Sequence, residues 1–205
     1  MPHTKEEHVT YTKNELNDHP YYKEIFKILG EEPIESYLDI GANVGEFHNQ
    51  VVEKIPSIKK TYLIEPDPEN FIFLKNHITY SVEVETFNMA ISYTIKRGTL
   101  TTSRNVGGYM LVGSTEGGGV KIKTLESLKI PVVDFVKIDV EGMEYEILEK
   151  SSYLRQVEWL DVEFHQTPEQ EQNSFVVNFI RDNFETHDIF FFEEGTHGRC
   201  LLRKK

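Results

Sequence analysis

From Ser36 onward, short apolar runs alternate with segments whose hydrophobic residues recur every three to four positions, and this alternation leaves the chain few folds. Strands joined by amphipathic crossover helices build a mostly parallel sheet with helices on both faces, so the expected class is α/β, Rossmann-like. Strands are expected at Ser36–Ile40, Thr61–Ile64, Val82–Phe87, Phe135–Val140, Trp159–Phe164 and Asp188–Glu193, with a last one through Arg199–Arg203. Phe47, Val51 and Ile55 share one face of a helix bounded by Gly45 and Pro56. Asp67 as N-cap and Pro68 at the first position open the next helix, which turns Phe71, Leu74 and Ile78 inward. Met143 and Ile147 continue this logic after the fourth strand, and a final long helix from about Pro168 is expected to bury Phe175, Val176, Phe179 and Ile180.

Two regions break the pattern. Residues 1–35 carry Tyr11, Tyr21, Tyr22 and Phe26 among charges, and predict one or two helices capping the sheet or the site, ahead of a domain spanning 36–205. Residues 94–123 hold Gly98, Gly107, Gly108, Gly113 and Gly117 to Gly119 amid Thr and Val; so many glycines disfavour a helix and predict a β-hairpin or mobile flap.

A chain of 205 residues fits one domain. Its 34 acidic against 22 basic residues give a net charge of -12, which repels nucleic acid rather than recruiting it. Basic residues cluster only at Lys59 and Lys60 and at Arg203 to Lys205, which read as solvated ends. Apolar stretches such as Ile189–Phe192 are far too short to cross a bilayer. The polar start Met1–His8 lacks a secretory core, and Cys200, the single cysteine, can form no internal disulfide. A cytoplasmic location is therefore expected.

The segment Leu38-Asp39-Ile40-Gly41-Ala42-Asn43-Val44-Gly45-Glu46-Phe47 runs from strand through a glycine-bearing turn into a helix. Glycines allow close backbone approach, and the helix N-terminus offers amide donors suited to a carboxylate or phosphate. Asp39, at the strand end, could accept a hydrogen bond from an ammonium group, so the turn suits the amino-acid end of a ligand; a plain tight turn would also explain Gly41 and Gly45. About 20 residues on, Tyr62-Leu63-Ile64-Glu65-Pro66-Asp67 ends the second strand with an acid, where a ribose needs a carboxylate. Asp67 already has a role as N-cap, which leaves Glu65 as the ribose ligand. Asn88-Met89-Ala90-Ile91-Ser92 follows the third strand, where an adenine ring would lie or where core packing alone would serve.

Val136-Lys137-Ile138-Asp139-Val140-Glu141-Gly142-Met143-Glu144 departs most from a bland strand. Lys137, Asp139 and Glu141 share one parity, and three ionisable residues on a central parallel strand need partners or a ligand. Asp161, Glu163 and His165 alternate likewise in the next strand. For Asp161 a wet edge suffices, whereas Glu163 and His165 are placed to line the crevice.

Taken together, Leu38–Phe47, Ile64–Asn76, Asn88–Ser92, Thr124–Leu128 and Phe135–Leu148 resemble the FkbM family of S-adenosylmethionine-dependent methyltransferases, most specifically in Lys137 to Gly142 followed by Glu144 and Leu148. The resemblance implies a seven-stranded class I methyltransferase sheet and O-methylation of a hydroxyl on a sugar or other natural product. It also implies cofactor contacts from Asp39, Gly41, Asn43, Gly45 and Glu65, joined here by Ala42, Pro66, Met89 and Ala90, and places Asp139 and Glu141 near the transferred methyl. Glu149-Lys150-Ser151-Ser152 lacks the glycine-alanine pair expected of the family, and residues 1–35 have no clear counterpart in it.

Methyl transfer needs an in-line approach, helped by a base when a hydroxyl must lose its proton. Asp139, Glu141 and His165 are the candidate bases, with Lys137 keeping a neighbouring carboxylate ionised. Asp139, Glu163 and His165 could instead hold a divalent cation that acidifies the acceptor. The scattered His3, His8 and His19 read as surface residues. Two rivals stand beside this reading: a nicotinamide oxidoreductase, which the Gly-x-x-x-Gly spacing disfavours, and a methyltransferase-like binding module without turnover.

Overall fold

The computed structural model describes residues 4–102, 109–114, 119–165, 180, 182–186, 191–193 and 197–205. Two helices come first. α1 (Lys5–Asp18) is started by a capping box, in which the Thr4 side chain accepts from the Glu7 amide and the Glu7 side chain from the Thr4 amide. α2 (Pro20–Gly30) begins with Pro20 in the first turn and His19 as cap, and buries Tyr21, Tyr22, Ile25, Phe26 and Leu29.

The alternation then unfolds as expected: β1 (Ser36–Ile40), α3 (Glu46–Lys54), β2 (Lys60–Ile64), α4 (Pro68–His77) and β3 (Glu83–Phe87). Asp67 caps α4 by accepting from the Asn70 amide at 2.7 Å, ahead of Pro68. Next come β4 (Ala90–Ile91), β5 (Gly98–Thr102), β6 (Tyr109–Gly113), β7 (Ile122–Lys123), β8 (Phe135–Ile138), α5 (Glu144–Lys150) and β9 (Trp159–His165). β10 (Phe184–Thr186), β11 (Phe191–Glu193) and β12 (His197–Lys204) complete the described elements.

The main sheet runs β10-β12-β9-β8-β1-β2-β3, with β11 pairing a separate part of β12. β3, β2, β1, β8 and β9 are parallel, while β12 is antiparallel to β9 and to the two short outer pieces. Two apolar layers cover this sheet. One joins α2, α3 and α4 through residues such as Tyr22, Phe47, Val51, Leu74, Phe135 and Trp159; the other joins α5 and the β4 region through Met89, Ile91, Ile147, Leu148 and Leu160. Fully burying each large apolar side chain contributes about 1.5–3 kcal/mol, so the two layers set the sheet rigidly behind the strand ends.

Several boundaries differ from the sequence reading. The fourth strand stops at Ile138, and residues 140–142 form a turn. Phe71 is only half-buried, because α4 turns Asn70 and Leu74 inward instead. Ala90 and Ile91 leave the main sheet to pair with β7. Asp161 lies on no wet edge: β9 is an interior strand, and its burial is met by a short hydrogen bond from the Tyr21 hydroxyl of α2. Within residues 94–123, β5 and β6 pair as an antiparallel hairpin. Gly107, Gly108, Gly117 and Gly118 of the expected flap lie outside the described residues, as do Pro168 to Phe179 of the expected final helix and Asp188 to Phe190 of the sixth strand. Among the described residues, no helix is long and apolar enough to cross a membrane.

Candidate active site

A cavity of about 470 Å³ opens at the carboxyl ends of β1, β2, β8 and β9, the expected ligand crevice of an open α/β sheet. Its floor includes Gly41 to Val44, Glu65, Pro66, Met89, Ala90, Lys137, Asp139, Glu141, Glu163 and His165. Of the fourteen site residues singled out by sequence, twelve meet there; Asp39 and Gly45 do not.

The glycine turn is shaped by close packing. Gly41 has φ +92°, and a Cβ there would lie 1.8 Å from the Asp139 carbonyl oxygen, so β1 and β8 approach each other at this point only because the side chain is absent. Gly45, at φ +87°, would place a Cβ 2.4 Å from Ile78 Cγ2. Its absent side chain seats α3 against the end of α4 rather than admitting a ligand. Asp39 lies fully buried behind the cavity wall, 3.5 Å from Lys137 Nζ, which corrects the expectation that it meets a ligand ammonium directly.

Glu65 is buried at the end of β2, where Oε2 accepts from the Asn43 amide at 2.7 Å and Oε1 from the Asp67 amide at 2.8 Å. Burial pushes its carboxyl up to about 7, against the pull of these two amides. The Glu65 carboxylate thus ties the glycine turn to the start of α4 while facing the cavity.

At the other end of the cleft, Lys137 Nζ stands 3.1 Å from Asp139 Oδ2 and 3.3 Å from the Gly41 carbonyl. Burial works against ionising Asp139, but the charges of Lys137 and His165 overcome it and hold this carboxyl below its usual range. Glu141 does not continue the strand alternation. It has φ +54°, a left-handed conformation that carries it into the cavity from a turn. The turn is pinned by Glu144, fully buried at the start of α5, which accepts from the Val140 amide at 3.1 Å and the Gly142 amide at 3.0 Å. The same carboxylate lies 2.8 Å from His165 Nδ1. Burial lowers the proton affinity of His165, yet the hydrogen bond and charge of Glu144, with Asp139 and Glu163, more than reverse this and raise it to about 10.

Atoms of Asp139, Glu141 and His165 lie within 4.8 Å of one another. This is not the predicted metal set: Glu163 Oε2 turns to Arg199 at 3.0 Å, and Oε1 stays 3.8 Å from His165 Nε2. The outer wall comes from α1 and α2, with His8, Tyr11, Glu15, His19 and Tyr22. His8 is therefore no surface residue; its Nε2 lies 3.1 Å from Asn43 Nδ2 in the glycine turn. His19 caps α2 and also faces the cavity, and His3 lies outside the described residues.

The sequence matches the methyltransferase FkbM domain over residues 39–192. The chain belongs to the FkbM methyltransferase family. Its fold is shared with a methyltransferase FkbM from Methylobacillus flagellatus KT (TM-score 0.53, 14% identity, covering 82% of this chain and 44% of that one). It is shared also with a SAM-dependent methyltransferase from Aquifex aeolicus (0.51, 13%, 98% and 100%) and with M. capricolum TrmK bound to S-adenosylhomocysteine (0.50, 12%, 88% and 68%). This FkbM chain spans less than half the length of the M. flagellatus protein. No curated protein matches its sequence.

The FkbM family and this fold are those of S-adenosylmethionine-dependent methyltransferases. The residues present fit that cofactor: a buried carboxylate faces the cleft from the end of the second strand, a turn opened by Gly41 follows the first, and the apolar Met89 and Ala90 line the same cavity. Sequence reasoning read His8 as a surface residue, passed over Glu15, Asn70 and Arg199 as site residues, and gave no role to Glu144. For Glu144 a signal existed, since an acid in the first turn of a helix beside a glycine turn can cap it.

Proposed function

We propose that this FkbM-family protein is an S-adenosylmethionine-dependent O-methyltransferase acting on a hydroxyl of a sugar or other small natural product. The observation that carries the reading is one cavity holding both the Glu65 and glycine-turn end and the Asp139–Glu141–His165 cluster. When bound, S-adenosylmethionine supplies an electrophilic methyl group. Glu65 would accept from its ribose hydroxyls, and Met89 and Ala90 would pack on its adenine. The turn from Gly41 to Val44 receives the amino-acid end, while Asp39 acts from behind the wall by holding Lys137.

Asp139 would take the single proton of the acceptor hydroxyl as its oxygen bonds to the methyl carbon and the methyl–sulfur bond breaks, S-adenosylhomocysteine being the leaving group, with Glu141 accepting a hydrogen bond beside it. Lys137 keeps Asp139 ionised for this task, and Glu144 keeps His165 in one orientation beside it. The acceptor is bounded by aromatic and polar side chains, including Tyr11, Tyr22, His19 and Arg199, a mixture suited to a hydroxylated ring. Alternatively the same carboxylates hold a divalent cation that acidifies the acceptor hydroxyl, in place of acting as its base. The cytoplasm suits an activity in a chain whose single cysteine, Cys200, is buried and reduced.

The test is methyl transfer from labelled S-adenosylmethionine to a panel of hydroxylated sugars and polyketide-like alcohols, with the product bond located by mass spectrometry and NMR. A methyl ether that disappears in Asp139→Asn supports the reading. Transfer only to nitrogen or carbon acceptors overturns it.

A further inference from the structure

The fully buried carboxylate of Glu144 directs its hydrogen bonds to the Val140 and Gly142 amides and to His165, all in one small region. Burying a carboxylate costs several kcal/mol unless its partners compensate, so a residue placed this way is not explained by core packing. Two of its contacts fix the amides on either side of Glu141, whose left-handed backbone a residue other than glycine rarely adopts. The third fixes His165 through Nδ1, which leaves Nε2 as the nitrogen nearer the cleft carboxylates, 3.7 Å from Glu141 Oε2. Glu144 thus positions an imidazole and a carboxylate at once.

We infer that Asp139, Glu141 and His165 form a binding site for a divalent transition-metal cation, with Glu144 as the positioning residue behind two of its ligands. Donor atoms bonded to one ion at about 2.0–2.2 Å lie up to about 4.4 Å apart, so a set already within 4.8 Å needs only small side-chain rotations to close. A coordinating histidine characteristically gives its other ring nitrogen to a carboxylate, which is the arrangement of His165 and Glu144. Lys137 occupies Oδ2 of Asp139, so this residue coordinates through a single oxygen. Glu163 lies beside the set, with one oxygen paired to Arg199 and the other 3.8 Å from His165 Nε2.

One imidazole nitrogen with two carboxylate oxygens favours Mn2+, Fe2+, Co2+ or Zn2+ over Mg2+ and Ca2+, which prefer oxygen alone. Three protein ligands leave coordination positions open to a hydroxyl. For its purpose the site rests on the O-methylation reading, where it would acidify the acceptor. Metal binding itself is measured without any methyl transfer.

The experiment is titration of the chelator-stripped full chain with Mn2+, followed by loss of the free-ion EPR signal and by calorimetry, with Mg2+ as comparison. The wild type is expected to take up a single Mn2+ per chain and to bind Mg2+ more weakly. Glu144→Gln should weaken Mn2+ binding about 10- to 100-fold, and His165→Ala at least as much, while Glu163→Gln stays within about threefold. Variants are compared only where circular dichroism and S-adenosylhomocysteine binding match the wild type. No Mn2+ uptake by the folded wild type overturns the site whether or not any variant folds, as does uptake indifferent to His165→Ala in a folded variant. Methyl ether formation that survives chelation, without Mn2+ uptake, removes the cation and keeps the O-methyltransferase; Mn2+ uptake without any methylated hydroxyl does the reverse.

Discussion

Glu65→Gln should stabilise the cofactor-free protein at alkaline pH while weakening cofactor binding. Burial raises the Glu65 carboxyl from 4.5 to about 7. The unfolded chain therefore releases this proton near 4.5 while the fold retains it to about 7. Between these values the folded state binds more protons, and stability falls as pH rises. At about 1.36 kcal/mol per pH unit, the 2.5-unit interval costs the wild type on the order of 3 kcal/mol above pH 7. Glutamine has no charge to desolvate, but its single carbonyl oxygen serves one of the two amides, Asn43 or Asp67, which now share two oxygens. That loss offsets about 1–2 kcal/mol at every pH. The variant should be about 1–2 kcal/mol more stable than wild type at pH 8 and less stable at pH 5. Urea unfolding of both proteins at the two pH values isolates the difference, since all other titrating groups are shared. The same substitution should weaken S-adenosylhomocysteine binding by about 1.5–3 kcal/mol in calorimetry, because a charged acceptor for the ribose is gone. Parallel stability curves would refute the buried-charge argument, and unchanged affinity would refute the ribose assignment.

Asp139→Asn should keep the fold and the cofactor affinity yet lose about 10² to 10⁴ in turnover, measured once an acceptor is in hand; full activity would reduce the residue to a structural role. Gly41→Ala, whose Cβ would collide with the Asp139 carbonyl at a positive φ, should cost at least about 3 kcal/mol in denaturant unfolding, and a near-native midpoint would contradict the close approach described. His8→Ala removes a contact between α1 and the glycine turn, so S-adenosylhomocysteine should dissociate up to about tenfold faster in stopped-flow measurements; an unchanged rate would show that α1 does not retain the ligand.

The elements that local chemistry determines were legible in the chain. Asp67 and Pro68 announce α4 at the position where it begins, and the strand-turn-helix around Gly41 carries its own boundary signals. Readings that needed a distant partner failed. Asp161 looks wet by its alternation with Leu160 and Val162, yet the Tyr21 hydroxyl that satisfies it lies 140 residues away in sequence. His8 sits on a polar helix with nothing nearby to mark it, and becomes part of the cleft only when α1 docks on Asn43. Glu141 was expected in the cavity by strand parity and is there by a left-handed turn, so the residue was found through a period that ends at Ile138. Gly45, off the cavity, lets α3 pack on Ile78, whereas Gly41 both lines the cavity and lets β1 approach β8.

The antiparallel strand β12 lies between β9 and β10 and follows both in the chain. Until it inserts, β9 presents a row of unpaired backbone groups along Trp159 to His165, and the buried Cys200, Leu201 and Leu202 have no layer to join. Such an open edge is a template for pairing with another molecule. The strand order predicts a late wedge in folding: the pairing of β1, β2 and β3 around Glu65 lies within the first half of the chain, whereas His165 and Glu163 gain their β12 neighbours only from its last residues. Refolding yields that fall steeply with protein concentration would be the kinetic signature of that exposed edge.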